Sequence, residues 1–374
     1  MRRVAIQLTS TGGFYGAERT LVELASYLAD QGWDSHVIAL EGQGAGEVVR
    51  RARDCGVSAT AYAEHGRLGM GSLLAKLRAT LVRFPRAIVH SHGYKPDILL
   101  AALRVPRRLG CVATCHTWYS DTLKMKLVER LDKRVLRGFD HVVAVSEEIR
   151  SDLLQSGVSA DAVSAIDNGI SVPPLDPTAR QRVRSEFALA PEERLVVQIG
   201  RLAKSKRNDL LLEAVARLNG SVPIRVLLVG EGEQRQLLAE KARALGIVDR
   251  VTFCGYRDDV HRILAAADLL ALTSNKEGLP IVMLEAMAVG CPIVATAVGA
   301  VPTVLRQNES AWLVVAEDAE RLTCALREAL MDPATAKTRA EQARADFIAL
   351  FSRDAMGQQY LDVYNRIWHA RGWS

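Results

Sequence analysis

Residues 273–296 read TSNKEGLPIVMLEAMAVGCPIVAT. The segment opens on the end of an apolar strand, DLLALT (Asp268 to Thr273), and turns through Gly278-Leu279-Pro280. A helix expected to start at Pro280 follows, and Gly290-Cys291-Pro292 leads into a second strand, PIVAT (Pro292 to Thr296). Proline is favoured in the first helical turn, where its missing N–H costs no hydrogen bond. The free amides near Gly278, Leu279, Ile281 and Val282, with the positive end of the helix dipole, form an anion site suited to phosphate. Glu277 stands at the mouth of that site. Glu285 lies among Ile281, Val282, Met283, Leu284, Ala286, Met287, Ala288 and Val289, apolar nearly all round. A carboxylate there is costly unless donors satisfy it, and hydroxyls of a ribose or sugar would serve.

Outward from this unit the same grammar repeats. Short apolar, β-branched runs alternate with segments of helical period, which means βαβ units around parallel sheets. The expected strands of the second half also include Leu195 to Ile199, Arg225 to Gly230, Arg250 to Cys254 and Ala311 to Val315. Those of the first half are Val4 to Thr9, His36 to Leu40, Ala87 to Ser91, Cys111 to Cys115 and His141 to Val145. The first helix is marked by Leu21, Leu24, Ala25 and Leu28, with Gly32 closing it. Between the halves, SVPPLDPTAR continues neither strand nor helix, so a linker is expected over about Ser171 to Ala179, within 171–190. The fold class is therefore α/β: two Rossmann-like domains, 1–170 and 191–350, whose parallel sheets face each other across a cleft. Ligands of open α/β sheets bind at the carboxyl ends of the strands, which places the active site in that cleft. Met356, Tyr360, Val363, Tyr364 and Ile367 form an apolar stripe in a final helix within 351–374, for which the N-terminal domain is one packing surface.

The chain has 374 residues, 49% hydrophobic and 24% charged, which excludes a disordered, collagenous or fibrous protein. Its start, MRRVAIQLTSTGGFYGAE, is interrupted by Gln7, Thr9, Ser10 and Thr11, so neither a signal peptide nor a spanning helix is expected. Cys55, Cys111, Cys115, Cys254, Cys291 and Cys324 are scattered without a C-x-x-C pair, which reads as buried, reduced thiols in a cytoplasmic protein. Between Arg67 and Arg137, fifteen lysines and arginines face four acids, Asp97, Asp121, Glu129 and Asp132, although the whole chain carries only +5. Such asymmetry suits a face turned towards an anionic leaflet, a phosphorylated acceptor or nucleic acid, while a solvated helix face is the plain alternative.

The spacing Glu277-x7-Glu285, with Gly278-Leu279-Pro280 between and Gly290-Cys291-Pro292 after, resembles the signature of the retaining nucleotide-sugar glycosyltransferases of family 4, which have the GT-B fold. The resemblance runs from the glycine-rich turn at Gly12 to the C-terminal helix. It implies that Glu277 contacts donor-sugar hydroxyls and that Glu285 binds the ribose, with Gly278, Leu279, Pro280, Ile281 and Val282 around the donor. IGRLAKSKRND looks like the family's Gly-Arg-Leu-x-x-x-Lys stretch, so Arg201 and Lys206 would neutralise the donor diphosphate. Arg207 stands where glycine usually follows, which leaves Lys204, Lys206 and Arg207 as rivals for the phosphate contact. TGGFYGAERT resembles the loop beside the reacting sugar and acceptor, carrying Gly12, Gly13 and Gly16. It is not a dinucleotide fingerprint, because its spacing is not G-x-G-x-x-G. His116 matches the family's active-site histidine near the reaction centre, although a lone strand-end histidine is commonly a satisfied core residue. Asn168-Gly169-Ile170 resembles the turn before the linker, and Gly255-Tyr256 the loop lining the base.

The resemblance thus implies a retaining transfer from a nucleotide diphosphate sugar to a lipid-linked or saccharide acceptor, in synthesis of cell-surface polysaccharide or glycolipid. It implies front-face attack in which the donor phosphate helps take the acceptor proton, so no protein nucleophile or general base is named. No cofactor is expected. No metal is expected either: the chain has no Asp-x-Asp, and His90, His92 and His116 could only imitate a triad, without a visible carboxylate second shell. Cations can stabilise the leaving diphosphate instead. On this reading the chain acts in the cytoplasm, with Arg67 to Arg137 against the inner membrane face and nucleic acid not a partner. The rivals are a nucleotide-sugar epimerase, which needs no acceptor, a sugar phosphorylase, which needs free phosphate, and a nucleotide-sugar-binding protein without turnover.

Overall fold

The computed structural model describes every residue except 1, 11–15, 41–44, 63–68, 117–121, 173, 175, 219, 221 and 374. The chain divides into two units, residues 1–171 with 350–374, and residues 172–349.

The first unit is built on a parallel sheet of β1 (Val4–Ser10), β2 (Asp34–Leu40), β3 (Ser58–Tyr62), β4 (Ile88–His92), β5 (Gly110–Cys115), β6 (His141–Ala144) and β7 (Val163–Ala165), in the order β3-β2-β1-β4-β5-β6-β7. Every residue of β4 and β5 is buried, as expected for strands covered by helices on both faces. Two strands had not been expected. Ser58–Tyr62 is an edge strand of small and polar residues, and Val163–Ala165 spans only three residues at the other edge. The order reverses between β1 and β4, so the loops after these strands diverge and open a crevice at their carboxyl ends.

The C-terminal helix Arg353–Ala370 belongs to this unit. Met356, Tyr360, Val363, Tyr364 and Ile367 pack with Ala5, Ile88, Val112 and Val143 of the central strands. Trp33 meets Tyr364 and Trp368 edge-on, at 5.6 and 5.5 Å between ring centroids. Gly357 makes the approach possible: a Cβ there would lie 2.4 Å from the Tyr27 ring.

The second unit has β8 (Arg194–Ile199), β9 (Ile224–Val229), β10 (Val251–Gly255), β11 (Leu269–Leu272), β12 (Ile293–Thr296) and β13 (Trp312–Val314), all parallel, in the order β10-β9-β8-β11-β12-β13. Its switch point lies between β8 and β11. The linker is shorter than 171–190, because Ala179–Glu186 forms a helix that buries Ala179 and Val183. The cysteines also differ from expectation, since Cys55 and Cys324 are exposed while Cys111, Cys115 and Cys291 are buried.

One buried pair makes the first unit sensitive to pH. Asp97, on the helix Tyr94–Ala102, and Asp132, on the helix Leu123–Leu136, are each 1% exposed. Asp97 Oδ1 accepts from Ser91 Oγ, and Asp132 is the charged group that most affects its carboxyl. Burial, reinforced by the neighbouring Asp132 charge, pushes the Asp97 carboxyl well above the ordinary carboxylate range. A raised acid is most stabilising below its unfolded pKa, and that contribution fades as pH climbs through the folded value. Asp97→Asn keeps an oxygen for Ser91 and supplies an N–H to Asp132 at every pH. It should therefore melt several degrees above the wild type at pH 8, a gain of about 2 kcal/mol. Near pH 4, the ordinary carboxylate pKa, the gain should shrink towards zero, and an equal gain at both pH values would refute the raised carboxyl.

Candidate active site

In the second unit the loops after β8 and β11 are tied together across the switch point. Gln198 Nε2 donates to Thr273 Oγ1 (3.0 Å) and to the Lys206 carbonyl (3.1 Å), and Asn275 N–H donates to the Ser205 carbonyl (2.9 Å). Thr273 Oγ1 lies 3.0 and 2.9 Å from the carbonyls of Lys206 and Arg207. This clamp brings together two residues 71 positions apart. Lys206 Nζ is 2.6 Å from Glu277 Oε1, and Ser274 Oγ donates to the same oxygen at 2.6 Å. The Glu277 side chain is only 9% exposed, so the Lys206 ammonium offsets much of the cost of desolvating its charge.

Behind Glu277 the helix runs Ile281–Val289 and ends on left-handed Gly290. It starts one residue later than expected: Pro280, with ψ 116°, is extended and serves as the N-cap. Among the described residues, the N–H groups of Gly278, Leu279, Ile281 and Val282 have no hydrogen-bond acceptor. They are the orphan donors of a helix start, next to an ammonium group. Glu285 is half-buried one turn further on, four residues from Ile281.

Other expected residues stand apart from this pair. Arg201 is exposed and bonded to Glu233 at 3.2 Å, and Lys204 is exposed. Arg207 is engaged by Asp209 (3.1 Å) and Glu317 (2.8 Å). Its backbone is left-handed (φ 47°), which is the physical reason a glycine suits that position. Of the three rivals for a phosphate, Lys206 is the one beside the helix start. Gly255 has φ 68° and leads into exposed Tyr256.

Sequence reasoning had missed a set of glycines at the strand ends. A Cβ on Gly230 would fall 2.0 Å from the Gly200 carbonyl oxygen, on Gly232 2.3 Å from that of Leu202, and on Gly299 1.9 Å from that of Glu277. A glycine soon after a strand was the available signal, and Gln198, Thr273 and Ser274 gave none.

In the first unit Gly16 opens the helix Gly16–Asp30, while Gly12 and Gly13 lie outside the described residues. His116 follows β5, and its ring stacks on His92, the last residue of β4, at 5.9 Å. His92 in turn stands 4.3 Å from His90. Burial lowers His90 to about 3 and His116 to about 4, so both imidazoles are neutral at physiological pH. Both nitrogens of His90 are engaged, by Tyr364 and Thr114, each at 2.7 Å, so the three rings form a row rather than a ligand set.

Residues 179–346 match the family model described as glycosyl transferases group 1, and residues 14–172 match that of glycosyltransferase family 4. A D-inositol 3-phosphate glycosyltransferase of Mycobacteroides abscessus is 31% identical over 311 residues, covering 78% of this chain and 68% of that protein. The lipopolysaccharide core biosynthesis glycosyltransferase LpsE of Rhizobium meliloti is 28% identical over 355 residues, covering 93% and 95%. Among solved structures, Anabaena HepE in complex with UDP superposes with a TM-score of 0.82 at 22% identity, over 98% of this chain and all of that one. Two matched halves on two switch-point sheets leave one assignment: the chain belongs to the group 1, family 4 glycosyltransferases with the GT-B fold.

Proposed function

We propose that the chain moves a sugar from a nucleotide diphosphate donor to an acceptor with retention of configuration and without a metal or other cofactor. The observation that carries this reading is the Lys206–Glu277 pair beside the open amides of the helix Ile281–Val289. In transfer the sugar–oxygen bond to the diphosphate breaks, leaving its electron pair on a phosphate oxygen. The amides, Lys206 and a repositioned Arg201 stabilise that charge. The acceptor oxygen bonds to the anomeric carbon on the face the diphosphate leaves, and its proton passes to the departing phosphate. Glu277 orients sugar hydroxyls, Glu285 holds the ribose, Gly255 and Tyr256 line the base, and neutral His116 with Gly12, Gly13 and Gly16 borders the reacting sugar. Related folds support the donor class: Anabaena HepE was solved with UDP-glucose.

A thermal-shift series with UDP-, GDP- and ADP-sugars tests the donor. The true donor at one hundred times its Kd should stabilise by about 2.7 kcal/mol, a shift of several degrees. Glu285→Ala should lose most of that shift without a lower melting point of its own. If no nucleotide stabilises the wild type, the donor reading fails.

The acceptor is a lipid-linked or other saccharide, met by the chain in the cytoplasm at the inner membrane face. Leu123, Leu127 and Leu131 form an exposed stripe on the helix Leu123–Leu136, beside exposed Lys124, Lys126, Arg130 and Arg134. Two of the acids in the basic stretch, Asp97 and Asp132, are buried, which leaves its surface more basic than its composition. Among the described residues no helix is long and apolar enough to cross a membrane. The contact proposed is peripheral, one helix face at the lipid surface. Vesicles containing phosphatidylglycerol should sediment the protein and release it in high salt, and Leu127→Asp should weaken the association about tenfold. Equal binding to neutral vesicles would argue against it.

A further inference from the structure

Six buried groups link β1, β4, β5 and the C-terminal helix in one chain of hydrogen bonds. His92 Nε2 lies 2.9 Å from Gln7 Oε1, and Gln7 Nε2 donates to Tyr364 Oη at 2.9 Å. Tyr364 Oη is 2.7 Å from His90 Nδ1, and His90 Nε2 is 2.7 Å from Thr114 Oγ1. Tyr360 Oη closes the chain, 3.0 Å from Thr114 Oγ1. None of the six residues is more than 5% exposed.

Donor and acceptor chemistry gives this chain a direction. Gln7 Oε1 can only accept, so His92 carries its proton on Nε2. Gln7 Nε2 supplies a proton to Tyr364 Oη, so the phenol turns its own O–H to His90 Nδ1, and His90 keeps its proton on Nε2 for Thr114. His92 Nδ1 is then a bare lone pair, and among the described residues it has no hydrogen-bond partner. A core histidine placed only for packing would have that nitrogen satisfied. The tautomer is imposed from Gln7 and Tyr364 instead, and the ring so fixed is the one that His116 stacks on, with 25° between the planes.

We propose that Gln7 and Tyr364 are positioning residues for glycosyl transfer: they hold His92 as its neutral Nε2–H tautomer and, through the stacked rings, orient His116. This role rests on the reading of His116 as bordering the reacting sugar. It gives the C-terminal helix a part in the chemistry of the first unit, through one hydroxyl 357 residues away from the glutamine it meets.

The test uses the full chain, labelled with nitrogen-15, and imidazole NMR of the wild type and of Tyr364→Phe. The wild type should show His92 as a single Nε2–H tautomer, and Tyr364→Phe a mixture of both. Turnover, assayed with UDP-glucose, UDP-N-acetylglucosamine and GDP-mannose as probe donors, should fall at least about tenfold in kcat, within the roughly hundredfold cost of a misplaced group. KM for the donor should hold. Thr114→Val should act in the same direction, and Thr114→Ser, which restores the hydroxyl, should recover turnover even if Tyr364→Phe folds poorly. His92 observed as the Nδ1–H tautomer, or Tyr364→Phe with wild-type turnover, overturns the proposal. His116→Ala separates the layers: turnover lost there but kept in Tyr364→Phe defeats the relay alone, and turnover kept in both defeats the reading of His116 as well.

Discussion

Glu277→Gln is expected to lower the rate of glycosyl transfer by roughly 10²–10³-fold, the cost of removing one preorganised electrostatic group from a reaction centre, while the melting temperature moves little. The amide has the size of the carboxylate and can still accept from Ser274 Oγ and Lys206 Nζ through one oxygen, so the clamp between the loops after β8 and β11 should survive. What disappears is the negative charge that fixes the Lys206 ammonium and that, on the proposed function, accepts from sugar hydroxyls. Because the side chain is only 9% exposed, water cannot stand in for it. Donor affinity, read by thermal shift with the best-binding nucleotide sugar, should change less than turnover, since the amides of the helix start remain. A Glu277→Gln protein with wild-type turnover would reduce the carboxylate to a structural partner of Lys206.

Gly299→Ala should damage both fold and function. Its φ of 56° is left-handed, and a Cβ would sit 1.9 Å from the carbonyl oxygen of Glu277. The neighbouring Ala300 N–H donates to the Gly278 carbonyl at 3.3 Å, so the loop after β12 is tied to the backbone just beyond the Glu277–Gly278 peptide. Relieving the collision must push that peptide by about an ångström, a displacement that can cost a hundredfold in rate. Overpacking and strain together should remove about 1–3 kcal/mol of stability. Gly246→Ala provides the comparison: φ is 67° there, but nothing lies within 4 Å of the added Cβ. It carries the backbone strain without the collision, so it should lose about 1 kcal/mol and keep its activity. Equal behaviour of the two variants would mean that the loop after β12 yields without moving Glu277.

The central strands were legible because burial on both faces writes itself as continuous apolar runs. Val4–Ser10, Ile88–His92 and Leu269–Leu272 were each anticipated to within a residue or two. Ser58–Tyr62 and Val163–Ala165 were not, since a short edge strand half covered by helix needs no such run. The helix Ala179–Glu186 was read as linker because neighbouring prolines outweigh an eight-residue segment that buries only Ala179 and Val183.

The site divides in the same way. Local order within one βαβ unit, a turn of Gly278-Leu279-Pro280 feeding an apolar helix, is a property of adjacent residues, and it marked the open helix start and the position of Glu277 directly. The pairing of Glu277 with Lys206, the diversion of Arg207 to Asp209 and Glu317, and the bond from Gln7 to Tyr364 depend on which strands lie side by side. Sequence by itself determined that this protein is built on two parallel α/β sheets and that a helix starts just after Gly278-Leu279-Pro280, because hydrophobic period and turn chemistry act over a few residues. Only the tertiary structure decided which charges meet and which histidine nitrogen is left bare, because distances of 2.6–2.9 Å are set by strand order and register across tens to hundreds of residues.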